Sequence, residues 1–458
     1  MLRASVLLLP IAAVAACGFN SPRPSGGPDG PDTDGSVDSR CDLEATWEQG
    51  KQPTKTVYIS KTPGPGTPDG TQQNPFQTLD AARSMIGPGT QLLLGPGDYG
   101  GVTFTDKRGT ADAPIWLEGP SSGQRARILG GTGAGLHLIG AQYWVIRNLE
   151  ISDLTQSAAI NVDDGSGPDS AHHIVVDRVT IGNSSRPCLQ FSGVTDVTIR
   201  DSTLGSCDRG VMMVGVQRAV IGRTTIGSMA SIGVAFAGGS ADIEVRQNTI
   251  GGITGKGVWI GGDSDVAQFR PPLSATTGNT EARNIRVFNN VIENVQDAIT
   301  CSNCGSSLVA HNLFRGVSNT VLTLHQPYPD LDDSGTTYVF APAGGVKLVN
   351  NAIEATSGAA AFFDNGSGTA PSTCTFSHNM WLRNNGAWTP QLPTTEEMGQ
   401  NGKDSGYLGN GQLCASASSL AARAGTPLPE VPGTLQGQCR PTPPSPPSIG
   451  PSEPDPGC

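Results

Sequence analysis

Nine times along the chain one short phrase recurs: apolar residues alternate, a polar residue (often Asn) follows, and another apolar residue closes. The clearest copies are Ile243-Glu244-Val245-Arg246-Gln247-Asn248-Thr249-Ile250 and Ile285-Arg286-Val287-Phe288-Asn289-Asn290-Val291-Ile292. Val197 to Leu204, Ala219 to Ile226, Ser307 to Phe314, Val346 to Ile353 and Cys374 to Trp381 follow the same plan, with looser copies at Trp144 to Ile151 and Ile174 to Ile181. The third-from-last residue of each stands at 149, 179, 202, 224, 248, 290, 312, 351 and 379, so the steps are 30, 23, 22, 24, 42, 22, 39 and 28. A base step of 22 to 24 that is enlarged but never shortened marks a solenoid whose turns accept insertions. Alternation inside each unit makes it a β-solenoid, not a helical array.

Each unit reads as three short strands. From residue 219 on these are Val220-Ile221, Thr225-Ile226 and Gly233-Val234-Ala235-Phe236, separated by turns rich in Gly, Ser and Arg. Three strands in a coil of this length give a parallel β-helix, with coils stacked ~4.8 Å apart. Asn returns at the marker position as Asn248, Asn290, Asn312, Asn351 and Asn379. Such side chains, turned inward, hydrogen-bond in a ladder along the axis, and Asn tolerates the left-handed backbone of a tight bend. Only 5% of residues are aromatic and 61 are Gly, which suits tight turns and thin packed layers. The net charge of -11 excludes a nucleic-acid binder, which needs a basic face.

A solenoid must cover its end strands. Asn74 to Ile86 places Phe76, Leu79, Ala82 and Met85 three apart on one helical face, and Thr90 to Tyr99 follows as strand and turn. With Val57-Tyr58-Ile59-Ser60 before it, this stretch resembles the N-terminal cap of right-handed parallel β-helix proteins in the pectate-lyase-like superfamily, which includes polysaccharide lyases. The resemblance spans roughly residues 55 to 390. It implies an all-β fold, a right-handed parallel β-helix with three sheets, roughly eleven or twelve coils and an N-terminal capping helix. Lyases, hydrolases, epimerases and pure binding proteins share that superfamily, so the fold does not choose an activity.

The ends of the chain carry an address. Arg3 precedes an apolar run, Val6 to Ala16, too short to span a membrane and suited to a secretory signal. It ends in Val14-Ala15-Ala16-Cys17, which resembles the lipobox of bacterial lipoproteins, where cleavage leaves Cys17 to be lipidated. By the same resemblance, Gly18 in place of Asp points to the outer membrane. The expected organisation is a signal peptide at 1–16, lipidated Cys17 and a flexible linker at 17–40, and an N-terminal cap at 41–90. The β-helix follows at 91–390, a C-terminal cap segment at 391–440 and a disordered Pro-rich tail at 441–458, in a monomeric protein. Nine further cysteines in an exported chain read as disulfides, with Cys188 and Cys207 in neighbouring coils. Cys301 and Cys304 read as a disulfide, since no second pair stands at zinc-ligand spacing.

The enlarged steps show where function should lie. Their extra residues fall at loops 163–172, 263–282, 326–343 and 366–372, each after a strand at the same place in the coil. Insertions gathered at one corner of a repeat protein build its binding face. On the strand before that corner, alternation turns Gln190, Met213, Trp259, Thr323, His325, Phe362 and Asp364 outward. An outward Trp259 on a flat sheet suits stacking on a sugar ring, with Arg283 and Tyr328 as further substrate-binding residues. Packing under its own loop is the competing role for Trp259. Lys256, His325 and Arg270 are the candidate catalytic side chains. A lyase needs a base, for which Lys256 is placed, and a cation such as Ca²⁺ to neutralise a uronate, which Asp263 and Asp265 would hold. Against this, the Lys-then-Arg pair of chondroitinase-like and alginate-lyase families is absent, Ala298 standing one unit beyond Lys256. Two classes stay open: a surface lipoprotein that binds and, if an enzyme, cleaves polysaccharide as a lyase; or a non-catalytic structural or adhesive envelope lipoprotein.

Overall fold

The computed structural model describes residues 41, 46–131, 133–165, 167, 170–355, 362–383, 386–387, 389–402, 419–441 and 443–453. The signal segment, Cys17, the linker, Asp169, Cys414 and Cys458 lie outside the described residues. One coil shows how the sequence phrase folds. Thr195–Arg200 lies in a first sheet, Thr203–Gly205 in a second and Arg209–Val214 in a third, before the chain climbs to Gln217–Gly222 directly above its start. The first sheet has 12 strands, all parallel, running from Lys55–Ile59 to Thr375–Ser377. The second and third merge where Thr249–Gly261 and Val291–Ser302 run unbroken around their shared corner.

Register explains the core. Ile146, Val176, Ile199, Ile221, Val245 and Val287 stand in successive partner positions of the first sheet, and all are fully buried. β-Branched residues suit this stack, because each side chain meets its own kind one coil away.

The Asn ladder forms. Asn248 Nδ2 donates to Asn290 Oδ1 at 3.0 Å, Asn290 to Asn312 at 2.9 Å, Asn312 to Asn351 at 3.0 Å and Asn351 to Asn379 at 2.9 Å. Each amide also donates to a backbone carbonyl of the preceding coil, such as Val245 O for Asn290. The left-handed residue is not the ladder Asn, as expected, but the one before it: Gln247, Asn289, His311, Asn350 and His378 all have φ between 53° and 58°. That residue makes the bend and turns the next side chain inward. The ladder ends on Glu396, whose Oε1 accepts from Asn379 Nδ2 at 2.9 Å and whose Oε2 accepts from Trp381 Nε1. Burial pushes the Glu396 carboxyl up.

Both ends are capped by backbone. Ser60 N donates to Phe76 O, Phe76 N to Tyr58 O and Tyr58 N to Gly70 O, so residues 70–76 cover the first strand's edge. The expected capping helix is reduced to a 3₁₀ helix, Asp80–Met85, which buries Leu79 and Ala82. At the far end Glu397 pairs across Ser377, and Gln400–Asn401 lies parallel beside the strand Met380–Arg383.

The tail departs from its composition. Residues 443–453 are not a free Pro-rich end but part of a strap that begins near residue 419. Ala421 and Ile449 pack with Leu313, Ala352 and Met380, and Val431 with Phe288 and Ala310. The bend residues that make the ladder corner hold the strap: Gln247 Nε2 donates to Thr434 O, Asn289 Nδ2 to Gly433 O and Asn350 Nδ2 to Thr426 O. His311 is buried between Gly450 O, 3.2 Å from Nδ1, and Asn350 Nδ2, 2.9 Å from Nε2. A disulfide joins Cys41 to Cys439, and others join Cys188 to Cys207 and Cys301 to Cys304. Cys374 is a buried thiol, with burial pushing it up.

Two outcomes follow from these contacts. Asn290→Ala strands buried partners on two neighbouring coils and should cost at least about 2 kcal/mol in denaturant unfolding. The exposed Gln296→Ala should stay within about 0.5 kcal/mol. For His311, burial first and then the Arg440 charge push the imidazole well below its ordinary range. Its folded pKa is lowered, so the folded state binds fewer protons. Stability is complete above the unfolded pKa of about 6.5 and falls as pH drops below it. Limited proteolysis of residues 419–453 should therefore speed up below that pH. His311→Gln should flatten the dependence; an unchanged profile would exclude His311 as its source.

Candidate functional site

All four enlarged corners open from the third sheet. Ile160–Asp163, the end of Thr249–Gly261, Thr320–His325 and Phe363–Asn365 belong to one register-linked series of strands, and the chain leaves each toward the first sheet. The insertions therefore share one edge, as their sequence positions require.

What they build there is a wall of loops packed on one another. Asn279 N donates to Val339 O and Ala341 N to Asn279 O, both at 2.9 Å, joining the two longest loops by backbone. The Phe340 ring lies 5.7 Å from Phe269 and 4.8 Å from Tyr328. At the root sits Glu281, fully buried. Its carboxylate accepts from Gly238 N at 2.6 Å, Ser264 N at 2.7 Å, Ser264 Oγ at 2.8 Å and the Tyr328 hydroxyl. Burial, with the Glu281 carboxylate beside it, pushes the Tyr328 phenol up. A buried carboxylate is tolerable only when its oxygens are filled in this way. Sequence alone shows Glu281 as one more loop charge and gives no sign of this role.

Arg270 fastens the wall to an earlier loop. Its Nη2 pairs with Asp164 at 3.1 Å, and its Nη1 donates to Ala267 O and Phe269 O. Gln217 Nε2 donates to Arg270 O at 2.7 Å. This side chain is engaged in tethering, apart from the Trp259 strand.

On the sheet, Trp259 is partly exposed, as alternation requires, and its Nε1 donates to Ser302 Oγ in the next coil at 2.9 Å. Lys256 Nζ lies 5.3 Å from the Trp259 ring centroid. One unit beyond Lys256 the register places Asp297, not Ala298, because the strand is bulged between Ile253 and Lys256. The Asp297 carboxylate accepts from Asn319 Nδ2 and Thr320 Oγ1, each at 2.7 Å. Further along the same face come Thr323, the exposed His325 opposite Ser302, and the exposed Asp364 opposite Thr323. Trp259 and Thr323 are two coils apart, or ~10 Å. Beside the strip, at the corner away from the loops, Thr254, Asn294, Gln296, Ser318 and Asn319 line a shallow cleft of about 650 Å³.

Two outward assignments are corrected. Met213 is buried and Met212 takes the outward place, in register with Gln190 and Ala235. Phe362 is also buried, its ring 4.2 Å from Trp381. The structure thus brings Lys256, Trp259 and His325 onto one strip. Tyr328 joins the loop wall, and the exposed Arg283 lies past the corner on the first sheet, opposite Ala241. Asp263 is exposed, while Asp265 caps the 3₁₀ turn Val266–Gln268. Among the described residues no three His, Cys, Asp or Glu side chains gather as ligands. Ca²⁺ takes 6–8 oxygens, and one of these two carboxylates is already used in a cap. The pair does not fit a resident cation.

Residues 118–271, about a third of the chain, match the family profile described as right handed beta helix region. No curated protein matches. Among solved structures, pectate lyase Pel9A aligns over 89% of this chain and 98% of its own, with 14% identity and a TM-score of 0.53. An alginate lyase from Paenibacillus sp. str. FPU-7 aligns over 69% of this chain and 97% of its own, at 18% identity and a TM-score of 0.43. A lacto-N-biosidase from Eubacterium ramulus covers 72% of this chain and 64% of its own, at 13% identity and a TM-score of 0.46. With its stacked parallel coils and its likeness to Pel9A, the chain has the fold of a right-handed parallel β-helix.

Proposed function

We propose that this chain binds extracellular or cell-envelope polysaccharide along the third sheet, on the strip from Lys256 and Trp259 to His325 and Asp364. The observation that carries this reading is the partly exposed Trp259 indole. It lies on a flat sheet among side chains that offer hydroxyl, imidazole and carboxylate groups, beside a cleft lined by amides. A sugar presents C–H faces to an aromatic ring while its hydroxyls keep polar partners, so these groups suit it together. The likeness to Pel9A, a pectate lyase, supports a polysaccharide ligand without naming one.

Binding suits the geometry better than cleavage. A lyase reaction needs a base and a neutralised uronate carboxylate. Lys256 is placed to be the base, but Arg270 is held by Asp164 and no cation site is formed by Asp263 and Asp265. Lys256 is the feature that favours the second reading, an eliminating enzyme. Anchoring completes the proposal: Cys17 carries lipid and holds the protein at the outer membrane.

Trp259→Ala should weaken binding of a glycan identified on an array by about 1–3 kcal/mol in calorimetry. If binding is unchanged, the indole is packing only. Lys256→Ala should cost modest affinity and nothing else. Loss of an ultraviolet-absorbing unsaturated product in that variant would establish the enzyme instead.

For the anchor, Cys17→Ser should leave unprocessed or soluble protein in the periplasm. Fractionation of that variant with the outer membrane, as wild type does, would end the lipoprotein reading.

A further inference from the structure

Charge around the strip narrows the ligand further, and this inference rests on the glycan-binding reading just given. Asp297 sits on the strip beside Lys256 and Asp364 closes its far end. Along the loop wall Asp263, Asp265, Asp330, Asp332 and Asp333 are all exposed. The last three lie in a short antiparallel hairpin, Asp330–Asp333 with Thr336–Val339, that rises from the same corner.

Opposing cations are few among the described residues. Lys256 leans on the Trp259 ring, and Arg270 is held by Asp164. Arg283 belongs to the first sheet, and Arg209, two coils upstream of Lys256, lies 3.4 Å from Asp208. No Lys or Arg occurs between residues 326 and 345. The amide-lined cleft on the other flank adds no charge.

We infer that the glycan held on this strip is uncharged: a neutral polysaccharide of hexose, pentose or N-acetylhexosamine units, and not a polyuronate. A polyuronate carries one carboxylate per sugar. Laid along the strip, it would bring successive anions beside Asp297, Asp364 and the acidic hairpin. Like charges facing one another across a binding surface are a standard way of rejecting a partner. Neutral sugars meet no such field. Their hydroxyls find donors and acceptors in the Asn, Gln, Ser and Thr side chains of the cleft and in the Asp297 carboxylate, a strong hydroxyl acceptor. The inference runs against the substrate named for the lyase of similar fold, because fold does not fix the charge of a surface.

The test compares ligands on the full chain. Cello-, xylo-, manno- and chito-oligosaccharides are titrated against oligogalacturonate and oligoalginate, at low salt and at about 1 M NaCl, where the screening length falls to ~3 Å. Each titration is repeated with added Ca²⁺. At least one neutral series should bind at least about tenfold more tightly than either uronate series at low salt. Its affinity should change little with salt, and Trp259→Ala should weaken it. The triple variant Asp330→Asn, Asp332→Asn, Asp333→Asn, in an exposed hairpin, should raise uronate affinity at low salt and leave neutral binding alone.

Uronate binding equal to or tighter than neutral binding, with or without Ca²⁺, and lost on Trp259→Ala, would overturn the inference while leaving the strip as the glycan site. The absence of binding by both classes, or binding that Trp259→Ala leaves untouched, would overturn the strip itself and this inference with it.

Discussion

Strands in the body of the β-helix give their backbone hydrogen bonds to the coil above and the coil below, and this one constraint shapes the rest. A strand paired on both sides cannot gain or lose a residue without shifting its neighbours, and a one-residue slip would turn the core outward. Length can change only at corners. The Asn ladder enforces the same rule from inside, because each amide bridges to the next coil and also ties down a carbonyl of the one before. Glu396 ends it as a side-chain acceptor where no further coil supplies an Asn. The steps of the sequence phrase lengthen and never shorten for this physical reason.

The same constraint explains which parts were legible. Periodicity gave the strands, their order in each coil and the corner that carries the insertions, because those follow from counting apolar positions. It also placed Trp259 correctly, where the alternation is regular. It failed for Met213 and Phe362, and it put Ala298 beside Lys256 in place of Asp297. For Ala298 the cause is a bulge between Ile253 and Lys256, which cannot be read from an apolar pattern. Val211, Val234 and Val258 keep unbroken register, so Met212 and not Met213 shares the face of Trp259. The capping helix is shorter than its spacing suggests for another reason. Phe76, Leu79, Ala82 and Met85 do have helical spacing, but Phe76 is taken up in backbone pairing with Tyr58 and Ser60, leaving only a short 3₁₀ helix.

Distant contacts that fall outside the repeat were not legible. Glu281 looks like any loop charge until Gly238, Ser264 and Tyr328 converge on it. Arg270 looks like a free cation until Asp164, 106 residues earlier, is seen to hold it. The tail illustrates the point most plainly. Its Pro-rich composition favours extended chain, and extended chain is also what a strap needs when bend residues such as Asn289 and Asn350 offer it side-chain hydrogen bonds.

These attachments also bear on the setting of the third sheet, the face proposed for a ligand; the first sheet keeps a cavity of about 430 Å³ beside Trp47. The corner between the first and second sheets is taken by the C-terminal strap in the later coils, through Gln247, Asn289, His311 and Asn350. Part of the first sheet is covered by Trp47, which packs on Trp116, Val145 and Val175, with Arg200 reaching back to Glu48 at 2.7 Å. The corner between the third and first sheets carries the loop wall, pinned by Glu281 and Arg270. Such pinned loops cost little ordering entropy when a ligand arrives, which is the advantage of a preformed surface over a flexible one. The strip from Lys256 to Asp364 lies against that wall, its outward side chains drawn from strands paired on both sides up to Thr320–His325 and from Phe363–Asn365, which among the described residues pairs with that strand alone. Under the proposed function, a flat face of this kind would hold a polymer by repetition, one coil for roughly one sugar, and the acidic margin of the wall would decide which polymers are turned away.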